Sequence, residues 1–119
     1  MSNYVKITNQ LKDLGIPASI LGFHYMRYAV ELMMKDISLM NQITKKLYPE
    51  VAKKFNTKPM SVERALRHAI EVSWNRGNPN TQNKLFGYTI DQEKCRPTNS
   101  EFIVTVADYM LMLEKEETE

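Results

Sequence analysis

An all-α, compact bundle of about six helices containing a helix-turn-helix is the fold predicted by three features of the sequence. Apolar residues recur at every third or fourth position rather than every second, which is the period of a helix and not of a strand. Proline and glycine divide the chain at Gly15-Ile16-Pro17, Pro49, Pro59, Gly77-Asn78-Pro79 and Arg96-Pro97, leaving segments of helical length between them. At 119 residues, 43% hydrophobic and 25% charged, the chain is long enough for one core and too short for two ordinary ones. Residues 1–119 are therefore expected to form a single domain.

The elements follow in order. A short first helix carries Ile7, Leu11 and Leu14 and ends at Gly15. The second runs from about Ser19 to Lys35, with Ile20, Met26, Ala29, Val30 and Met33 toward the core. Its His24 stands alone and reads as structural, and Phe23, Tyr25 and Tyr28 read as packing residues. A third helix is expected around Leu39 to Leu47. Pro49 fits the first turn of a further short helix, "PEVAKKF", because the N–H it lacks has no partner there. A long helix covers residues 60–76, and a short turn of helix follows near Gln82 to Phe86. The last helix has a capping box in Thr98-Asn99-Ser100-Glu101, where hydroxyl and carboxylate each satisfy a free backbone N–H. Its apolar face is Phe102, Ile103, Val106, Ala107, Met110 and Leu113, and the terminal "EKEETE" reads as a frayed, solvated end. Residues 87–97 are the least regular stretch and include room for a short extended piece.

The long helix is the informative one. At about 100° per residue, Val62, Ala65, Leu66, Ala69, Ile70 and Ser73 share a core face. Arg64, Arg67, His68, Glu71 and Asn75 gather opposite, with Ser61 at the N-terminal edge of that stripe and Glu63 on its flank. A short helix before it, the turn Asn56-Thr57-Lys58-Pro59 and this second helix make a helix-turn-helix at about 49–76, whose second helix enters the DNA major groove. The polar stripe of such a helix either meets water or meets a partner, and spacing alone leaves both open.

Side-chain chemistry favours a nucleic acid. Arginine pairs in bidentate fashion with guanine O6 and N7, and a carboxylate accepts from cytosine N4 or holds a neighbouring arginine in its reading pose. Lys45, Lys46, Lys53, Lys54 and Lys58 belong to the flanking segments, where flexible point charges suit phosphates. The net charge of +2 conceals this pattern: residues 40–98 carry eleven Lys or Arg against five Asp or Glu, whereas residues 99–119 carry one Lys against six acids.

Other classes of function lack their residues. Cys95 is the one cysteine, and His24 and His68 are the two histidines, so no metal site and no cofactor is expected. No nucleophile-base pair, carboxylate pair or phosphate-cradling loop is legible, which argues against an enzyme and a small-molecule substrate. No apolar run approaches the roughly 20 residues that span a bilayer, and the first residues do not resemble a signal peptide, so a cytoplasmic protein without membrane contact is expected.

The runs "LYPEVAKKFNTKPMSVERALRHAIEVSWNRGN", "LFGYT" and "KCRPTNSEFIVTVAD", with "LGIPASILGFHYMRYAVELM" upstream, resemble the C-terminal DNA-binding domain of the stage zero sporulation protein A family of response regulators. The similarity spans nearly the whole chain. It implies a six-helix bundle that binds double-stranded DNA at short operator boxes, as homodimers on tandem sites, and activates or represses sporulation genes. Carried over, it implies that Ser61, Glu63 and Arg64 sit at base-contacting positions. Arg67 and His68 would lie at or near phosphates, and the segment from Gly77 to Tyr88, with Thr81 and Phe86, resembles the stretch that touches the sigma subunit of RNA polymerase. Lys53, Lys54 and Lys58 are expected at phosphates from their place in the flanking segments. Two departures stand out. The family has an arginine where this chain has Ser61, and one bidentate arginine is worth about 1–3 kcal/mol of discrimination at its base pair. No receiver domain is legible, which leaves an effector domain of a longer regulator and a stand-alone relative as the alternatives. A receiver-less helical module that modulates a full-length regulator through protein contacts is the second functional reading.

Overall fold

The computed structural model describes residues 2–87 and 96–118. Six α-helices, and no strand, occur among the described residues: α1 (Asn3–Asp13), α2 (Leu21–Lys35), α3 (Tyr48–Lys54), α4 (Pro59–Arg76), α5 (Pro79–Phe86) and α6 (Asn99–Thr118). Residues 88–95, where most of the irregular stretch falls, lie outside them.

Local chemistry sets most helix ends. The Ser2 hydroxyl accepts from the Val5 N–H at 3.3 Å to start α1. Gly15 stops it at φ 87°, with the Ile16 N–H returning to the Leu11 carbonyl at 3.0 Å. Pro49 and Pro59 lie in the first turns of α3 and α4. The Asn78 side chain caps α5 through the Asn80 N–H at 2.8 Å. The expected capping box closes both ways at α6: the Thr98 N–H donates to Glu101 Oε1 at 2.9 Å, and the Glu101 N–H donates to Thr98 Oγ1 at 3.2 Å.

Two expectations need correction. Leu39 to Leu47 is not an α-helix but a 3-10 turn, Ile37–Asn41, followed by a π-helical turn, Ile43–Leu47. Asp36 holds the Ser38 N–H at 3.1 Å and tightens the first turn, and the Leu47 N–H reaches back five residues to the Gln42 carbonyl at 3.1 Å to widen the second. The charged C-terminal end is not frayed, since α6 continues through Thr118 and Lys6 of α1 pairs with Glu117 at 2.5 Å. That hydrogen bond holds the Glu117 carboxyl below its usual range.

Helix α2 lies at the centre and packs on α1, α3, α4 and α6. The core is filled by Ile7, Leu11, Met26, Val30, Leu66, Ile70, Phe102 and Val106, with Phe86 stacked on Phe102 at 5.2 Å and Trp74 edge-on to Phe86 at 5.3 Å. The radius of gyration, 13.4 Å, is close to the value of about 13.5 Å for a compact domain of this length. Two devices lock α4 in place. Gly22 lets the backbone of α2 approach Ala65 and Ala69, and the buried Ser73 hydroxyl donates to the Leu14 carbonyl at the end of α1. His24 is structural, as expected: Arg27 donates to its Nδ1 at 3.2 Å, which leaves Nε2 to donate to the Ala18 carbonyl at 2.8 Å.

Candidate nucleic-acid interface

Helices α3 and α4 are joined by Phe55–Lys58, and the residues of this turn explain its shape. Asn56 takes φ 53°, a left-handed conformation that asparagine tolerates better than most residues. The Thr57 N–H then reaches the Ala52 carbonyl at 2.9 Å and the Asn56 N–H reaches Lys53 at 3.4 Å, the pair of bonds that ends a helix in a Schellman motif. Phe55 anchors the turn against Tyr25 and Tyr28 of α2, with ring centroids 4.9 and 6.0 Å apart.

Beyond the turn, α4 buries Val62, Leu66, Ala69, Ile70 and Ser73, while Ala65 is half-buried at the edge of that face. Ser61, Arg64, Arg67, His68, Asn75 and Arg76 are exposed, and Glu63 and Glu71 are half-buried. Arg64 projects opposite the buried face and forms no ion pair with any described residue. Arg67 donates to the Glu63 carboxylate one turn earlier. Arg67 is exposed and Glu63 only half-buried, so the pair is reached by solvent and is worth only about 0–1 kcal/mol. Glu71 pairs not with an arginine of its own helix but with Arg96, at 3.3 Å.

The flanking lysines 45, 46, 53, 54 and 58 are all exposed. Lys54 leans over the Tyr28 ring, with Nζ 5.5 Å from its centroid, which directs it toward α2. An open cleft runs along one flank of α4, between residues 40–45 and residues 96–100, and Glu63 and Arg67 form part of its wall.

Sequence reasoning missed the residue that ties these parts together. Asn99 reads as an interior member of a capping box, yet its side-chain amide donates to the Glu63 carbonyl at 3.0 Å and to the Tyr48 hydroxyl at 3.2 Å. One side chain of α6 thus joins both helices of the helix-turn-helix. Burial pushes the Tyr48 hydroxyl above its ordinary value of 10.0, and the Asn99 hydrogen bond pulls it partly back. No local signal marks Asn99 for this role, because its partners lie 36 and 51 residues away.

The stretch expected to touch the sigma subunit divides in two. Phe86 has no exposed surface, so it belongs to the core and supports α5 from beneath, contrary to its expected place at a contact. Thr81 is half-buried, and the exposed side of α5 carries Asn80, Asn83 and Lys84. No helix among the described residues is long and apolar enough to cross a membrane.

The sequence profile described as "Sporulation initiation factor Spo0A C terminal" matches residues 7–110, which takes in every helix from the middle of α1 to the middle of α6. With a helix-turn-helix at its centre and a match over most of its length, the chain belongs to this family of DNA-binding domains that regulate transcription in sporulation.

Proposed function

We propose that the chain is a sequence-specific transcription regulator domain that inserts residues 60–76, the body of α4, into the major groove. Arg64 and Glu63 address base edges, Ser61 stands at a third base position, and Arg67, His68, Lys53, Lys54 and Lys58 hold phosphates. The observation that carries this reading is Arg64: a guanidinium at the middle of the exposed stripe of the second helix, without an acidic partner among the described residues. From that position a bidentate pair with guanine is worth about 1–3 kcal/mol. The resemblance supports the further features: pairing of two copies on tandem boxes, activation or repression according to promoter, a cytoplasmic site of action, and contact with the sigma subunit. Because Phe86 is buried, that contact falls to Thr81 and the exposed residues of α5.

The test is fluorescence anisotropy with an operator-box duplex and a scrambled duplex across a salt series. Operator binding about tenfold tighter or more, with both affinities falling steeply as salt rises, is the expected result. Arg64→Ala should lower operator affinity about ten- to a hundredfold and leave scrambled DNA nearly unchanged. Equal loss on both duplexes removes Arg64 as a base reader, and equal binding to both, with tight binding to a full-length regulator, selects the protein-interaction reading.

A further inference from the structure

The exposed stripe of α4 holds one residue that its polar chemistry does not account for. Met60 is 62% exposed, although methionine is ordinarily a core residue. It follows Pro59 in the first turn of α4 and stands four residues before Arg64. Four residues at about 100° each bring it within about 40° of Arg64, so the two share a face, with Cβ atoms roughly 5–6 Å apart. Side chains on a helix lean toward its N-terminus, and Met60 therefore projects from the end of α4 that leads into a groove in a helix-turn-helix.

We infer that Met60 is a specificity residue that packs on the 5-methyl group of a thymine in the major groove. This rests on the placement of α4 proposed above. The thymine methyl is the apolar feature of the major-groove floor, and Met60 is the one large apolar side chain among the residues of α4 that carry the exposed stripe: Ser61, Arg64, Arg67, His68 and Asn75 are all polar. An unbranched, polarizable thioether adjusts to a methyl group without a fixed approach angle. Its neighbour Ser61 is small and leaves the first turn room to approach the base. Recognition at this end of the helix is accordingly apolar, whereas one turn later it is made by hydrogen bonds from Arg64.

The experiment begins with selection of the preferred duplex from random sequences by the unaltered chain. Each thymine of the selected site is then replaced singly by deoxyuridine, which lacks only the 5-methyl group. Affinities are measured by anisotropy for the unaltered chain, Met60→Ala, Met60→Leu and Arg64→Ala, with circular dichroism confirming that each variant is folded. At one thymine, loss of the methyl should weaken the unaltered chain about three- to fivefold, the effect of one buried methyl. The same replacement should leave Met60→Ala unaffected and cost Met60→Leu an intermediate amount. The assignment is overturned if no thymine methyl matters, or if a methyl effect persists undiminished in Met60→Ala. Were Arg64→Ala still to abolish discrimination in that case, only the role of Met60 would fall. If the chain selects no sequence at all, the placement of α4 falls with it.

Discussion

Gly22→Ala tests how closely α4 is held to the core. A Cβ at this position would stand 2.3 Å from the Ala65 carbonyl oxygen and 2.9 Å from the Ala69 Cβ, against roughly 3.5–4.0 Å for comfortable carbon contacts. The nearer atom is helical backbone and cannot rotate away, so α2 and α4 must separate by about 1 Å. Overpacking of this kind costs about 1–3 kcal/mol. Opposing it is the better helix propensity of alanine, at most about 1 kcal/mol and less at the second residue of a helix. The clash wins, and a net loss of about 1–2 kcal/mol is expected, placed toward the upper part of the range because the obstacle is a carbonyl. With a urea dependence of about 2 kcal/mol/M, the middle of the usual range, the unfolding midpoint should fall by roughly 0.5–1 M. Circular dichroism and the fluorescence of Trp74, which packs on Phe86 and Phe102, report the transition independently. A midpoint that stays in place or rises would refute the argument, since it would mean that α4 moves aside freely and its position relative to α2 is not set by this contact.

Three further outcomes are expected. Ser73→Ala removes the buried donor to the Leu14 carbonyl and should lower stability by about 1–3 kcal/mol, read as a urea midpoint shift. Asn99→Ala removes two hydrogen bonds, to Glu63 and Tyr48, and should cost about 1–2 kcal/mol. It should also narrow the affinity ratio between operator and scrambled duplexes, which a purely local capping role for Asn99 would leave intact. Because burial raises the Tyr48 hydroxyl above 10.0, the folded protein keeps this proton to higher pH than the unfolded chain. Its contribution is complete below about pH 10 and is lost as pH rises through the folded value. Tyr48→Phe should therefore flatten the fall in urea midpoint as pH rises above about 10, and an unchanged slope would exclude Tyr48 as its source.

The features legible in the sequence are those whose causes lie within about four residues. Gly15 ends α1 because the chain must turn at a positive φ there, and Pro49 and Pro59 start helices because their missing N–H groups have no partner in a first turn. Thr98 and Glu101 satisfy each other's backbone donors. The buried stripe of α4 follows from helical phase, which equally determines that Arg64 projects away from the core. Where two local preferences competed, sequence reasoning failed: the apolar spacing of Leu39, Ile43 and Leu47 suits a helix, but the Asp36 side chain captures the Ser38 N–H and the backbone departs from α geometry.

Tertiary structure alone decided which distant groups meet. Ser73 finds the Leu14 carbonyl across 59 residues, Asn99 finds Glu63 and Tyr48 across 36 and 51, and Phe86 is enclosed by Trp74 and Phe102 rather than offered to a partner. The Ser73 and Asn99 pairings have no periodic or capping signature, because each donor would be equally satisfied by water in the unfolded chain. Their partners are chosen only when burial of the apolar faces brings the helices within hydrogen-bonding distance and leaves an unpaired polar group too costly to keep.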